Sequence, residues 1–238
     1  MENKSFSMGI RDGIPICLGY LSVSFAFGIF ATGQGLSIME TLLISMFNVT
    51  SAGQLAAVPI IASMGSFIEL ALTQLVINLR YALMSVSLSQ KFGSSIRIPD
   101  RFLIAFVNTD EVFAVASGKP GLVGKRYMLG LILTPYLGWS LGTLVGAVAG
   151  NILPLIVTSA LGIAIYGMFI AIVTPVAMSS LKDALCVITA IAISCIFYYV
   201  PWFSSIPSGF VIIITAVVVS ALFAIVAPIP DEEVKENE

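Results

Sequence analysis

No aspartate, glutamate, lysine or arginine occurs between Tyr127 and Leu181, nor again between Ala184 and Pro230. A helix needs about 20 apolar residues to cross the hydrocarbon core of a bilayer, so each of these stretches holds more than one span. Of the 238 residues, 58% are hydrophobic and only 10% charged, against roughly 25% charged in an ordinary soluble domain. Too few charges remain to cover a water-soluble surface. The chain reads as an all-α polytopic protein of the cell membrane, with one transmembrane domain over residues 1–230. Residues 231–238 carry five acids and one lysine, the composition of a disordered acidic tail.

Eight membrane segments are expected. The first runs from about Gly13 to Thr32 and ends at the Gly33-Gln34-Gly35 turn; the third is Phe67 to Leu88. The later ones are Tyr127 to Ala149, Ala160 to Ser179, Ala184 to Val200 and Ile206 to Ala227. The second, Ile38 to Met64, is interrupted at Thr50-Ser51-Ala52-Gly53-Gln54, and the fourth, Phe102 to Ser117, at Asn108-Thr109-Asp110-Glu111. Backbone irregular at membrane depth is tolerated only where it is buried in protein or lines a cavity, so these two segments are expected to be discontinuous or re-entrant.

Basic residues set the orientation. With eight full crossings and a cytoplasmic N-terminus, seven lysines and arginines lie inside and Lys91, Arg97 and Arg101 outside. If the two broken segments enter and leave by one face, the count becomes ten to none. Both arrangements leave the N- and C-termini in the cytoplasm. A faint internal symmetry sets Pro15, Gly19 and Met46-Phe47 against Pro135, Gly138 and Met168-Phe169.

The absence of histidine removes His-based nucleophile activation and His-ligated metal sites, so no enzyme, metal or cofactor is expected. Gly138-Trp139-Ser140-Leu141-Gly142 matches a serine-hydrolase pattern, but Ser140 has no base. The better reading is a small-residue stripe at Gly138, Gly142, Gly146 and Gly150, which lets membrane helices approach closely. That face is expected to serve packing within the chain or against a partner. Cys17, Cys186 and Cys195 read as buried small hydrophobes. No phosphate-binding loop is present.

An ionisable residue at the centre of a span costs about 2.5–3.5 kcal/mol on insertion scales and by default marks a site. Arg80, Asp110 and Glu111 are such residues, and Gln54, Asn78, Asn108 and Thr109 accompany them as uncharged hydrogen-bonders. Pro15, Phe27-Gly28, Ser51-Ala52-Gly53-Gln54, Asn78-Leu79-Arg80-Tyr81 and Thr109-Asp110-Glu111, in this order, resemble the AzlC family, the large subunit of two-component branched-chain amino acid exporters. A looser match follows at 164–171, before Pro175. Family members commonly carry histidine where this chain has Tyr81.

The resemblance implies a secondary active exporter of branched-chain or similar neutral amino acids. It also implies a small AzlD-like membrane subunit and a coupled proton or ion. The candidate substrate-binding residues are Arg80, Asn78, Asp110, Glu111, Gln54, Ser51 and Gly53. A planar guanidinium suits a carboxylate, and Asp110 or Glu111 suits an ammonium. The alternative reading is an ion channel, or a structural subunit in which Arg80, Asp110 and Glu111 only pair internally.

Overall fold

The computed structural model describes residues 5–227 apart from 155, 158, 159, 161–166, 168, 169, 171, 172, 176, 179 and 204. Two compact units are present, Met1–Met168 and Phe169–Glu238. In the first, α1 spans Phe6–Gly33, α2 Ile38–Phe47, α3 Ser51–Ala62, α4 Phe67–Ser89, α5 Ile98–Phe106, α6 Asp110–Ser117 and α7 Lys125–Ile152. The second holds α8, Leu181–Tyr199, a 3-10 turn at Pro201–Phe203, and α9, Ser208–Val226. No strand occurs among the described residues. Five of these helices, α1, α4, α7, α8 and α9, are long and apolar enough to cross a membrane.

Both segments are broken, but one or two residues earlier than expected, since Ser51–Gln54 and Asp110–Glu111 already form the first turns of helices. The second segment is divided into α2 and α3 at residues 48–50, and the fourth into α5 and α6 at residues 107–109. Pro59 is accommodated inside α3. The first span begins about two turns earlier than expected, because Ser5 caps it by accepting from the Met8 N–H. Most of the expected sixth segment, most of the motif at 164–171, residues 1–4 and the acidic tail lie outside the described residues. So do Met168-Phe169, half of one arm of the faint symmetry.

Glycine packs the core pair of helices. An added Cβ at Gly138 would sit 2.6 Å from Cys17 Sγ and 2.7 Å from the Cys17 carbonyl, and one at Gly142 would strike Ser24 and Leu21. Gly146 lies against Phe25, and Gly150 against Ile29 and Thr32. Numbers rise together along both helices, so α1 and α7 run parallel with their backbones in near contact. The stripe is thus filled by α1, not by a partner subunit, which corrects the partner half of the expectation. Cys17 belongs to this contact and, like Cys186, is only half-buried, while Cys195 is exposed; none is the fully buried hydrophobe expected.

Contacts at the helix ends fix how the broken segments enter. Leu36, just past the end of α1, is buried with Phe27, Ala31 and Val58, which returns α3 to the face where α1 ended. From that face α4 crosses, its 23 residues giving ~34 Å at 1.5 Å each. At its far end Lys91 Nζ donates to the Lys119 carbonyl (2.9 Å) and Gly93 N–H to the Val123 carbonyl (2.9 Å). Lys119 pairs with Asp12 near the start of α1 (2.7 Å), and Lys125, which opens α7, with Asp100 in the first turn of α5 (2.6 Å). Lys125 and the Arg97 N–H hold the Asp100 carboxyl below its ordinary value. The segment α5–α6 therefore starts and finishes at the face where α1 starts, and α2–α3 starts and finishes at the opposite one.

The two halves of this unit repeat. Ser5 and Ser66 cap α1 and α4, each followed by phenylalanine. Ile38 and Ile98 open α2 and α5, and the Glu40 and Asp100 carboxylates accept the preceding backbone N–H, at 2.8 and 3.0 Å. Phe47 and Phe106 close those helices, three residues follow, and Thr50 and Thr109 stand as N-caps of α3 and α6. Each pair is about 60 positions apart, and α4 runs opposite to α1. Inverted repeats with broken helices at the midplane are a transporter architecture.

Arg11, Lys91, Arg101, Lys119 and Lys125 gather at the α1-start face, which the positive-inside rule assigns to the cytoplasm. Cysteines placed at Ser94 and Ser117 are expected to react with an impermeant maleimide from the cytoplasmic side only, and one at Met64 from the outside only. Labelling of Ser94→Cys from outside would establish full crossings instead.

Candidate functional site

The tips of the two broken segments meet the middle of α4. Arg80 Nη2 lies 2.8 Å from Asp110 Oδ2 and donates to the Tyr81 hydroxyl at 3.1 Å. Tyr81 in turn donates to Thr50 Oγ1 at 3.3 Å. The single nitrogen Nη2 therefore links both tips, while Nε and Nη1 have no hydrogen-bond partner among the described residues. The side chains of Arg80 and Asp110 remain 53% and 46% exposed. A charge pair so open at membrane depth is strongly attractive to any ligand with its own charges, because little water competes.

Carboxamides form the rest of the site. Asn48 Nδ2 donates to Gln74 Oε1 (2.9 Å), Asn78 Nδ2 donates to the same oxygen (3.2 Å), and Gln74 Nε2 donates to the Gly53 carbonyl (2.8 Å). A Cβ at Gly53 would press on Thr50, Gln74 and Asn48, so only glycine lets α3 begin this close to α4. In the other tip Asn108 Nδ2 donates to Ser85 Oγ at 3.1 Å. The Val112 N–H donates to Thr109 Oγ1 at 3.4 Å, capping α6. The first turn of α3 has no side-chain cap and no acid, whereas that of α6 holds Asp110 and Glu111. The α3 start thus offers open N–H groups to an anion, and the α6 start offers the Asp110 carboxylate to a cation.

Glu111 does not join Arg80. Successive helix residues point about 100° apart, and Glu111 instead accepts the Tyr20 hydroxyl of α1 on Oε2. Tyr20 is buried and packs edge-on against Trp139 of α7, centroids 4.9 Å apart. Gln54 is fully buried with neither amide atom partnered, and Asn78 Oδ1 and Asn108 Oδ1 are also unpartnered. Such groups are costly when dry; a bound polar solute or water would satisfy them. Beside the second tip, a cavity of ≈ 330 Å³ opens between α4 and α5, with Phe92, Phe102 and Ile104 in its wall and Ser85 and Asn108 among its few polar groups.

Residues 15–153, from the middle of α1 to the end of α7, match the AzlC protein family. The chain belongs to the AzlC family. It is 31% identical over 197 residues to the inner membrane protein YgaZ of Escherichia coli K12, covering 79% of each chain. An uncharacterized membrane protein of Archaeoglobus fulgidus is 33% identical over 176 residues, 73% of this chain and 77% of its own. Another, from Haemophilus influenzae, is 26% identical over 144 residues, 59% of each. No solved structure matches. This AzlC-family protein is a multi-pass membrane protein, and its architecture is consistent with a membrane transport role.

Of the residues singled out in the sequence, Arg80 and Asp110 come together directly, and Asn78 and Gly53 are joined through Gln74. Glu111 turns to α1, and Gln54 is buried without a partner. Ser51 opens α3 beside them. Asn48, Gln74 and Tyr20 were missed as site residues. For Gln74 and Asn78 the signal was their spacing of four, which stacks them on one helix face.

Proposed function

We propose that this AzlC-family chain is the large subunit of a secondary exporter of branched-chain or similar neutral amino acids. The observation that carries this reading is the Arg80 guanidinium, held between the two segment tips through Nη2, with Nε and Nη1 free to donate beside an acid. Each can give a carboxylate a charge-assisted hydrogen bond, with the uncapped α3 start and Ser51 as further donors. The second carboxylate oxygen of Asp110 suits an ammonium. The apolar cavity next to Asn108 accepts an aliphatic side chain. The sequence lacks a phosphate-binding loop, which favours an ion or proton gradient as the source of energy.

A small AzlD-like membrane subunit is part of the proposal. Its support is the open Arg80–Asp110 pair, which lipid would cover poorly; the glycine stripe, occupied by α1, gives none. The pairing half of the alternative reading applies to Asp110 and Arg80, but Glu111 stands outside that pair.

The test is efflux from cells preloaded with a leucine-containing dipeptide, expressing this chain with and without the small apolar membrane protein encoded beside it. Efflux is expected only from the pair. Full efflux from this chain alone would sink the two-subunit reading, and no efflux from the pair would sink the exporter.

A further inference from the structure

The two acids at the start of α6 have different partners, and this divides their work. Asp110 is neutralised by Arg80. Glu111 has no basic side chain in ion-pair range among the described residues; its contact is the hydroxyl of Tyr20. A carboxylate at membrane depth without a cationic partner marks a functional site by default. The phenol offers the anion one hydrogen bond, and its oxygen can accept one from the neutral acid, so both forms are accommodated without a counter-ion. The inverted repeat sharpens the contrast, because the positions matching Asp110 and Glu111 in the first half are Ser51 and Ala52. Only one of the two tips carries acids.

We infer that Glu111 is the proton-carrying group that couples export to the gradient, and that Tyr20 is its positioning residue. This rests on the exporter reading and assigns the step which that reading leaves open. Facing the outside, the carboxylate takes one proton from external water and becomes a neutral acid. Facing the cytoplasm it releases that proton, so one proton enters as one amino acid leaves.

The charged and titratable groups on the elements packed against α6 include Arg11, Asp12 and Tyr20 on α1, Arg80 and Tyr81 on α4, Lys119 just past α6 and Tyr127 on α7, with Asp110 beside Glu111. Arg11 lines a groove with Asp12, Lys119 and the last turn of α6, away from Glu111 in its first turn. Asp12 accepts from Tyr127 (2.9 Å) and pairs with Lys119, while Arg80 and Tyr81 hold Asp110 and Thr50. Trp139 fixes the Tyr20 ring, so the hydroxyl reaches α6 from a rigid α1–α7 pair.

The experiment uses vesicles containing the complex of both subunits and radiolabelled leucine, comparing net flux driven by a pH gradient with leucine–leucine exchange at equal pH. In Glu111→Gln the driven flux is expected to be lost while exchange persists at the wild-type rate. In Tyr20→Phe, which keeps the ring against Trp139, exchange is expected to persist and the pH profile of driven flux to shift. Driven flux that survives Glu111→Gln with an unchanged pH profile would overturn the assignment. So would loss of exchange in both Glu111→Gln and Glu111→Asp, since that marks a binding or structural residue. Absence of exchange in the wild-type complex would instead sink the exporter reading itself.

Discussion

Arg80→Lys is expected to remove most transport while leaving the protein inserted and folded. The substitution keeps the positive charge, so pairing with Asp110 survives. It deletes the planar fork that reaches Asp110 and Tyr81 through Nη2 and leaves Nε and Nη1 open for a carboxylate. Hydrogen bonds to charged groups are worth about 1.5–3 kcal/mol, and each 1.4 kcal/mol is a factor of about ten. Losing one such bond to the substrate predicts roughly tenfold to a hundredfold weaker binding. The measurement is leucine binding and flux by purified complex, with thermal stability as the control. Normal export by Arg80→Lys would show that Arg80 only balances charge. Asp110→Asn is the matched test. If the ion pair is mainly structural, Arg80→Lys stays stable and Asp110→Asn does not. If it is a site, both stay folded and both bind leucine poorly.

Charge at membrane depth was the legible part of this site, because its cost is large and depends little on neighbours. Polar residues at membrane depth placed the breaks at Thr50 to Gln54 and Asn108 to Glu111, one or two residues past where the helices in fact end. Tyr20 was not legible. A lone tyrosine in an apolar span contributes nothing to hydropathy that separates a lipid-facing ring from one donating to a buried acid. Asn48 was hidden differently: Asn48-Val49-Thr50 reads as a glycosylation signal that membrane depth makes meaningless, and its pairing with Gln74 depends on α3 and α4 being antiparallel. The inverted repeat also escaped notice, since it resides in caps and breaks (Ser5 with Ser66, Thr50 with Thr109). Side chains between those positions differ in the two halves. What the sequence did show was an echo between Pro15 and Pro135, and those residues lie on the parallel helices α1 and α7, where a Cβ at Gly13 would come 3.3 Å from Pro135 Cδ.

Spacing of four along α7 revealed a close-packing face without revealing its occupant, and this sets the second large effect. Gly142→Leu is expected to collapse the first unit, because its Cβ would fall on Ser24 Oγ and on the backbone of Leu21. A flexible side chain moves aside cheaply; a helix backbone does not, and α1 is held along its whole length by Gly138, Gly146 and Gly150. Overpacking typically costs about 1–3 kcal/mol when neighbours repack, and helix backbone in the way puts this case at or above the top of that range. Because α1 carries Tyr20 and Asp12, its displacement would also break the links to Glu111 and Lys119. The effect is expected in this chain expressed by itself, since the stripe faces α1. Detergent-solubilised Gly142→Leu should therefore lose its melting transition or show one far below wild type, with or without the small subunit. Unchanged stability in isolation, with loss appearing only in the complex, would return the stripe to the partner interface. Gly19→Leu serves as the control, since an added Cβ there meets nothing within 4 Å, and it should melt as the parent does.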